Sequence, residues 1–287
     1  MNRYCRIGTA LATCAFFLSA LTASAGDRPG DFQAEFHQTY ALSPDGRVEL
    51  DNIDGDVSIS TWDRNEVKVE AVKYAGSRER LEEAHIEIDS RPDRLSIQTK
   101  YPGHDHTFNW GSRDNPAGVQ YTLTVPRRAR LDEIKLINGQ LQIDGAHGEV
   151  RASCVNGRLQ AHDLVGRADL STVNGHLEAK FDPLPGSSIK LSSVNGSVEM
   201  TIPSDARAEV EASTVFGGIE NNFGLHVSGH SFMVHNLRGE LGTGGAHIRI
   251  SNVNARIEIR HASDGRPLSP AKDLGSGDKD EDDDSEI

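Results

Sequence analysis

Two histidines flank an acid at His104, Asp105 and His106, with Trp110 and Asp114 a few residues on. Imidazoles and a carboxylate at that spacing can hold a divalent cation. The segment "PGHDHTFNWGSRDNPAG", Pro102 to Gly118, reads as a long polar loop that supplies no fixed third ligand. Surface histidines without metal are the expectation, and no metal site is assigned.

Carboxylates are the next candidates, because polysaccharide cleavage needs two or three acids converging on one exposed face. Asp144 and Asp163 follow strand-like segments in consecutive repeats. They stand six and seven residues after Asn138 and Asn156, and Asp169 falls in another half-repeat. These acids form no column with basic partners. His147, His162 and His176 are likewise spread around the repeats. The chain contains no GxSxG, P-loop, HExxH or CxxC. No catalytic, cofactor-binding or metal residue is assigned, and no enzyme activity or cofactor is expected.

Cys154 is the only cysteine beyond the leader, since Cys5 and Cys14 lie within the first 25 residues. It can be read as a reactive thiol or as a small residue in a repeat position. The repeats favour the second reading.

The elements that would position any of these groups are written by repetition. "LINGQLQI", "CVNGRLQA", "TVNGHLEA" and "SVNGSVEM" share one phrase. Aligned on the residue before the glycine, the anchors are Asp54, Asn138, Asn156, Asn174, Asn195, Phe216, Arg238 and Asn254. An apolar residue precedes each anchor: Ile53, Ile137, Val155, Val173, Val194, Val215, Leu237 and Val253. Another follows three residues later: Val57, Leu141, Leu159, Leu177, Val198, Ile219, Leu241 and Ile257. Both columns are expected to be buried. Anchor spacings from Asn138 onward are 18, 18, 21, 21, 22 and 16, while Gly139, Gly148, Gly157, Gly166 and Gly175 recur every nine.

A period near 20 residues with strand-like alternation predicts a solenoid. Stacked units would bury the apolar columns against each other. They would also align like side chains into ladders. The asparagines at 138, 156, 174 and 195 form one such column, and Ser153, Ser171, Ser192, Ser213 and Ser251 form another. Leu136, Cys154, Thr172, Ser193 and Thr214 share a third. A flat antiparallel meander with Asn-Gly hairpins is the competing architecture. The predicted fold class is therefore all-β, a parallel β-solenoid or β-helix-like array with an N-terminal β-rich cap.

The organisation expected is a signal peptide at 1–25, a cap segment at 26–130, the repeat array at 131–261 and a disordered acidic tail at 262–287. Arg3 and Arg6, the apolar run "IGTALATCAFFLSAL" and the small residues at Ala23–Ala25 predict cleavage near Gly26. A retained anchor, or lipidation at Cys14, is the alternative. In the cap, "EVKVEAVKY", "RLSIQTKY" and "VQYTLTVP" read as strands, with a short helix near Arg78 to Ala84. No later segment is long and apolar enough to span a bilayer.

The formal charge is −13. Such a surface repels phosphate backbones and anionic lipid, so nucleic acid is not an expected partner. Composition is 36% hydrophobic, 25% charged and only 6% aromatic, with 28 glycines. That favours a thin, turn-rich β architecture.

From Phe36 to Ile259 the chain resembles the DUF4097 family of exported β-strand repeat proteins grouped as adhesins. The matching stretches are "GRVELDNIDGDVSISTWDRNEVKVEAVK", "YTLTVPRRARLDEIKLINGQLQIDG" and the "VNG" units. The resemblance implies a parallel β-solenoid-like fold in the envelope or at the cell surface. The expected role is binding or scaffolding toward an envelope or surface ligand, protein or glycan. A polysaccharide-active β-helix enzyme and a periplasmic sensing module are the alternatives.

Overall fold

The computed structural model describes residues 32–101, 117–184, 186, 188–230 and 234–274. The predicted leader and the His104–His106 loop with Trp110 and Asp114 lie outside the described residues, as does the tail beyond 274.

In chain order the first elements are β1 (Phe32–Ala41), β2 (Arg47–Asp54), β3 (Val57–Trp62), β4 (Glu66–Ala75), helix α1 (Arg78–Glu83), β5 (His85–Arg91), β6 (Arg94–Lys100) and β7 (Gly118–Pro126). The repeats follow as β8 (Arg130–Asn138), β9 (Leu141–Asp144), β10 (Val150–Asn156), β11 (Leu159–His162), β12 (Ala168–Asn174), β13 (Leu177–Lys180), β14 (Ile189–Ser193) and β15 (Val198–Ile202). The last are β16 (Ala208–Thr214), β17 (Ile219–Asn221), β18 (Val227–His230), β19 (Val234–Leu241), β20 (Ala246–Asn252), β21 (Ile257–His261) and β22 (Ala271–Asp273).

These strands form two long sheets. Sheet 1 runs β18-β19-β16-β20-β14-β12-β10-β8-β2-β6-β5, with β22 also on β19. Sheet 2 runs β1-β4-β7-β3-β9-β11-β13-β15-β21-β17. A typical rung is one strand of sheet 1, a tight corner (Asn-Gly in β8/β9, β10/β11, β12/β13 and β14/β15) and one strand of sheet 2. Strands flanking a corner do not pair with each other. Instead β10 pairs in parallel with β8 and β12, and β11 with β9 and β13. The architecture is the solenoid, not the hairpin meander.

The core lies between the sheets and is built by alternation. In β12, Ala168, Leu170 and Thr172 point in while Asp169 and Ser171 point out. Leu141, Leu159, Leu177, Val198 and Ile257 are all fully or nearly fully buried, as the second apolar column predicts. The first column is corrected. Val155, Val173, Val194, Val215 and Val253 are 36–40% exposed. Strand parity gives the reason: Cys154 and Thr172 occupy the inward position just before, so the valine must face solvent.

Rung order also departs from chain order at both ends. Rung β6/β7 lies outside β2/β3, and rung β20/β21 is inserted between β14/β15 and β16/β17. The anchor Arg238 is corrected as well. It lies on β19, which runs antiparallel to β16 and closes sheet 1 instead of adding a parallel rung. At the other end, β5 covers β6 and β4 covers β7, both antiparallel. Antiparallel closure satisfies edge groups that a parallel array leaves open.

Residues 262–274 do not match the disorder that their composition suggests. Ser269 is buried and donates to Ala206 O at 2.7 Å. Arg266 pairs with Asp182 and Asp205, and β22 adds to β19. Short backbone and ion-pair contacts, not apolar burial, hold this stretch.

Candidate interaction faces

The Asn-Gly corners build the first face. Asn156 donates its side-chain N–H to Asn138 Oδ1 at 2.9 Å, Asn174 to Asn156 at 2.9 Å, and Asn195 to Asn174 at 2.9 Å. Asn254 continues the ladder onto Asn195. The ladder expected from the sequence is therefore present, one asparagine longer, with its C-terminal part exposed.

Beneath the ladder the glycines allow backbones to meet. A Cβ on Gly175 would lie 1.6 Å from Gly157 O, and one on Gly196 would lie 1.5 Å from Gly175 O. Gly139 and Gly157 have positive φ of 133° and 154°, but Gly175 does not fall in that region. Close approach, rather than a left-handed backbone, is what requires glycine at 175. At the anchors Asn156, Phe216 and Asn254 the inward residue two positions before reaches these carbonyls, while the Thr172 and Ser193 hydroxyls at the same place are buried without a partner among the described residues. Asn252 donates to Gly196 O at 2.9 Å, Thr214 to Ala255 O at 3.2 Å and the Cys154 thiol to Gly139 O at 3.5 Å. Burial pushes the Cys154 thiol up to about 11, so it holds its proton at neutral pH and is a poor nucleophile.

The outer face of sheet 2 carries a polar column. Gln142, Gln160, Glu178, Glu199, Glu258 and Glu220 stack in register. Gln160 donates to Glu178 at 2.8 Å, and Lys180 pairs with Glu178. The Lys180 hydrogen bond, with that of Gln160, holds the Glu178 carboxyl at about 2 despite partial burial. Arg260 bridges Glu199 and Glu258. The carboxylates of this column are thus largely neutralised within the face.

The outer face of sheet 1 carries the serine column, in register at 153, 171, 192, 251 and 213. Toward β19 it becomes a groove of about 660 Å³, lined in part by Ser213, Asn236, Arg238, Arg249 and Ser251. Arg249 is bound to Glu211 within it, and Arg238 is bound to Glu209, which does not line it.

The sequence-selected acids sit in different settings. Asp144 ends β9 on sheet 2, 3.4 Å from His162 Nδ1. Asp163 sits one residue past His162, at a corner, with φ of 54°. Asp169 is on β12 in sheet 1, 3.7 Å from Lys190. His176 meets Ser197 at 2.7 Å, one rung on. Among the described residues no three His, Cys, Asp or Glu side chains are grouped to hold a metal ion. The exposed valine column was missed by sequence reasoning, although strict alternation from Ala152 and Cys154 would have placed it outside.

Fold and faces together define a two-sided parallel β-solenoid that displays ladders of like side chains. The chain belongs to the Toastrack DUF4097 family, whose profile matches residues 48–260. Similar solved structures include a putative cell adhesion protein from Clostridium sporogenes, 10% identical, with a TM-score of 0.46 over 79% of this chain and 100% of that one. A putative adhesin from Bacteroides fragilis is 9% identical, with a TM-score of 0.35 over 79% and 97%. A putative adhesin from Parabacteroides distasonis is 13% identical, with a TM-score of 0.24 over 79% and 97%. No curated protein matches the chain. No helix among the described residues is long and apolar enough to cross a membrane.

Proposed function

We propose that the protein is an exported, non-enzymatic binding or scaffolding module of the bacterial envelope, adhesin-like in role. The observation that supports it is the regularity of the outward columns. Valine and serine hold register from β10 through β16, and asparagine from β10 through β20, on a core that fixes every rung. Such a surface is rigid and repetitive, so it engages an extended partner with little loss of conformational freedom. The family supports an envelope setting, and the n-region, apolar run and "ASA" site support export.

Two measurements test this reading. N-terminal sequencing of the mature protein should give a start near Gly26. A start at Met1 in the cytoplasmic fraction would overturn export. A glycan array run beside a reducing-sugar assay should show no release of reducing ends. Release would favour the polysaccharide-active β-helix enzyme instead.

A further inference from the structure

We infer that the Asn-Gly edge of the solenoid docks on a phospholipid surface, with the valine column as the inserted ridge. This rests on the proposed binding role and names its partner.

The ridge is a straight apolar row. Val155, Val173, Val194, Val253 and Val215 follow one another in spatial order, each 36–40% exposed. Half-buried Ile53 and Ile137 extend it at one end. At the other stands Phe216, 57% exposed. Six rung steps make the row about 29 Å long. Isolated exposed valines need no explanation, but a continuous row does. It is not a general property of the corners, since Ala146 and Leu164 at the opposite corner are buried.

Shape and charge select the partner. The row lies on a convex edge between two sheets, so it fits a deformable surface better than it fits a second convex edge. In the five rungs from β10 to β16, consider the columns from the serine to the residue after the glycine. They contain no carboxylate, in a chain of net charge −13, whereas the Ile53 rung at the end of the row carries Asp51, Asp54 and Asp56. Apart from the buried Cys154 thiol, the ionisable groups of those columns are Arg158, His176 and Arg256. The Arg158 guanidinium has no hydrogen-bond or ion-pair partner among the described residues. Arg256 reaches only an equally exposed Glu220, at 3.5 Å. An apolar row with arginines beside it matches the acyl boundary and phosphate level of a lipid interface. A second copy would set these arginines against a strip with no acid to receive them. The whole-molecule charge still opposes strongly anionic membranes, so zwitterionic lipid should suffice for binding.

Flotation of the processed chain with vesicles tests this, using phosphatidylcholine alone and an equimolar mixture with phosphatidylglycerol. The wild type should float with phosphatidylcholine vesicles. The double variant Val173→Asp/Val194→Asp should lose binding by about tenfold or more while keeping its melting transition. Arg158→Glu/Arg256→Glu should weaken binding to the mixed vesicles by about fivefold or more, and stands in should the valine variant fail to fold. Absence of flotation with both vesicle types overturns the proposal. So does flotation of both variants equal to wild type. A lipid-free dimer in sedimentation velocity that the valine changes abolish assigns the ridge to a second copy and also overturns it. Purified protein is used, so a failure of export would not alter the result, and failure here leaves glycan or protein binding open to its own test.

Discussion

Asn254 donates its side-chain N–H to Oδ1 of Asn195 at 2.6 Å, although the two are 59 positions apart in sequence. Asn195 in turn donates to Oδ1 of Asn174, only 21 positions before it, at 2.9 Å. One ladder thus joins rungs made early and late, because β20/β21 is inserted between β14/β15 and β16/β17. The outermost rung β16/β17 takes its parallel neighbour from residues that follow it in the chain.

The ladder gives the first prediction. Asn174→Leu removes bonds to both Asn156 and Asn195. The site is exposed, so water competes and the expected loss is about 0.5–1.5 kcal/mol in urea unfolding. The double change with Asn156→Leu should cost less than the sum of the single changes, because the two share a bond. Strict additivity would mean the asparagines serve only the shape of the corner.

The glycine column predicts a contrast between two alanines. At Gly175 a Cβ would strike the Gly157 carbonyl oxygen, and the backbone would have to part. Gly175→Ala should cost about 1–3 kcal/mol or more. At Gly218 a Cβ meets nothing within 4 Å, so Gly218→Ala should stay within about 0.5 kcal/mol. Equal melting temperatures for the two variants would contradict the stacked close approach.

Alternation predicts a second contrast, on the two sides of one corner. Leu177 is fully buried, and Leu177→Ala should cost about 2–5 kcal/mol. Val173 faces solvent, and Val173→Ala should fall within about 0.5 kcal/mol. Similar losses at both sites would return the valine column to the core.

That contrast also shows what the sequence made legible and what it hid. Period, parallel stacking, the asparagine and serine columns and the leucine column all follow from spacing and composition. The valine column does not, because taking an apolar residue as buried overrides the strand's own alternation. Strand parity carried through the corner puts the small or polar residues Cys154, Thr172, Ser193, Thr214 and Asn252 inside and the valine outside. Rung order is hidden for another reason. The inserted rung around Asn254 uses the same phrase as its neighbours, and local pattern cannot state which like strand it joins. Arg238 passes as an anchor because Leu237 and Leu241 are buried in an antiparallel strand with the same parity.

Acid titration gives a further prediction. The Glu178 carboxyl is held at about 2, below its ordinary value near 4.5, first by its hydrogen bond to Lys180. A depressed carboxyl stabilises the folded state above its unfolded pKa and loses that contribution as pH falls through the folded value. Wild type should exceed Glu178→Gln in melting temperature at pH 7. The gap should narrow as pH falls from about 4.5 toward about 2. A gap independent of pH would show that Lys180 and Gln160 contribute nothing through charge.

The end of the ladder offers the last prediction. Each asparagine directs its N–H toward the preceding rung, which leaves Asn254 Oδ1 facing the rung that carries Phe216. Phe216 occupies the asparagine place in backbone terms: its amide donates to Val253 O at 2.7 Å, as the Asn195 amide donates to Val173 O at 2.7 Å. Phe216→Asn should therefore add one rung to the ladder and remove an exposed aromatic ring. An exposed bond of this kind should stabilise by about 0.5–1.5 kcal/mol, read from the urea midpoint at unchanged m-value. The gain should vanish in an Asn254→Leu background, where no acceptor remains. A gain that survives there would come from removing the ring and not from the amide. If the ridge docks on lipid, the same change should weaken vesicle binding while it strengthens the fold, so stability and binding would move in opposite directions at one residue.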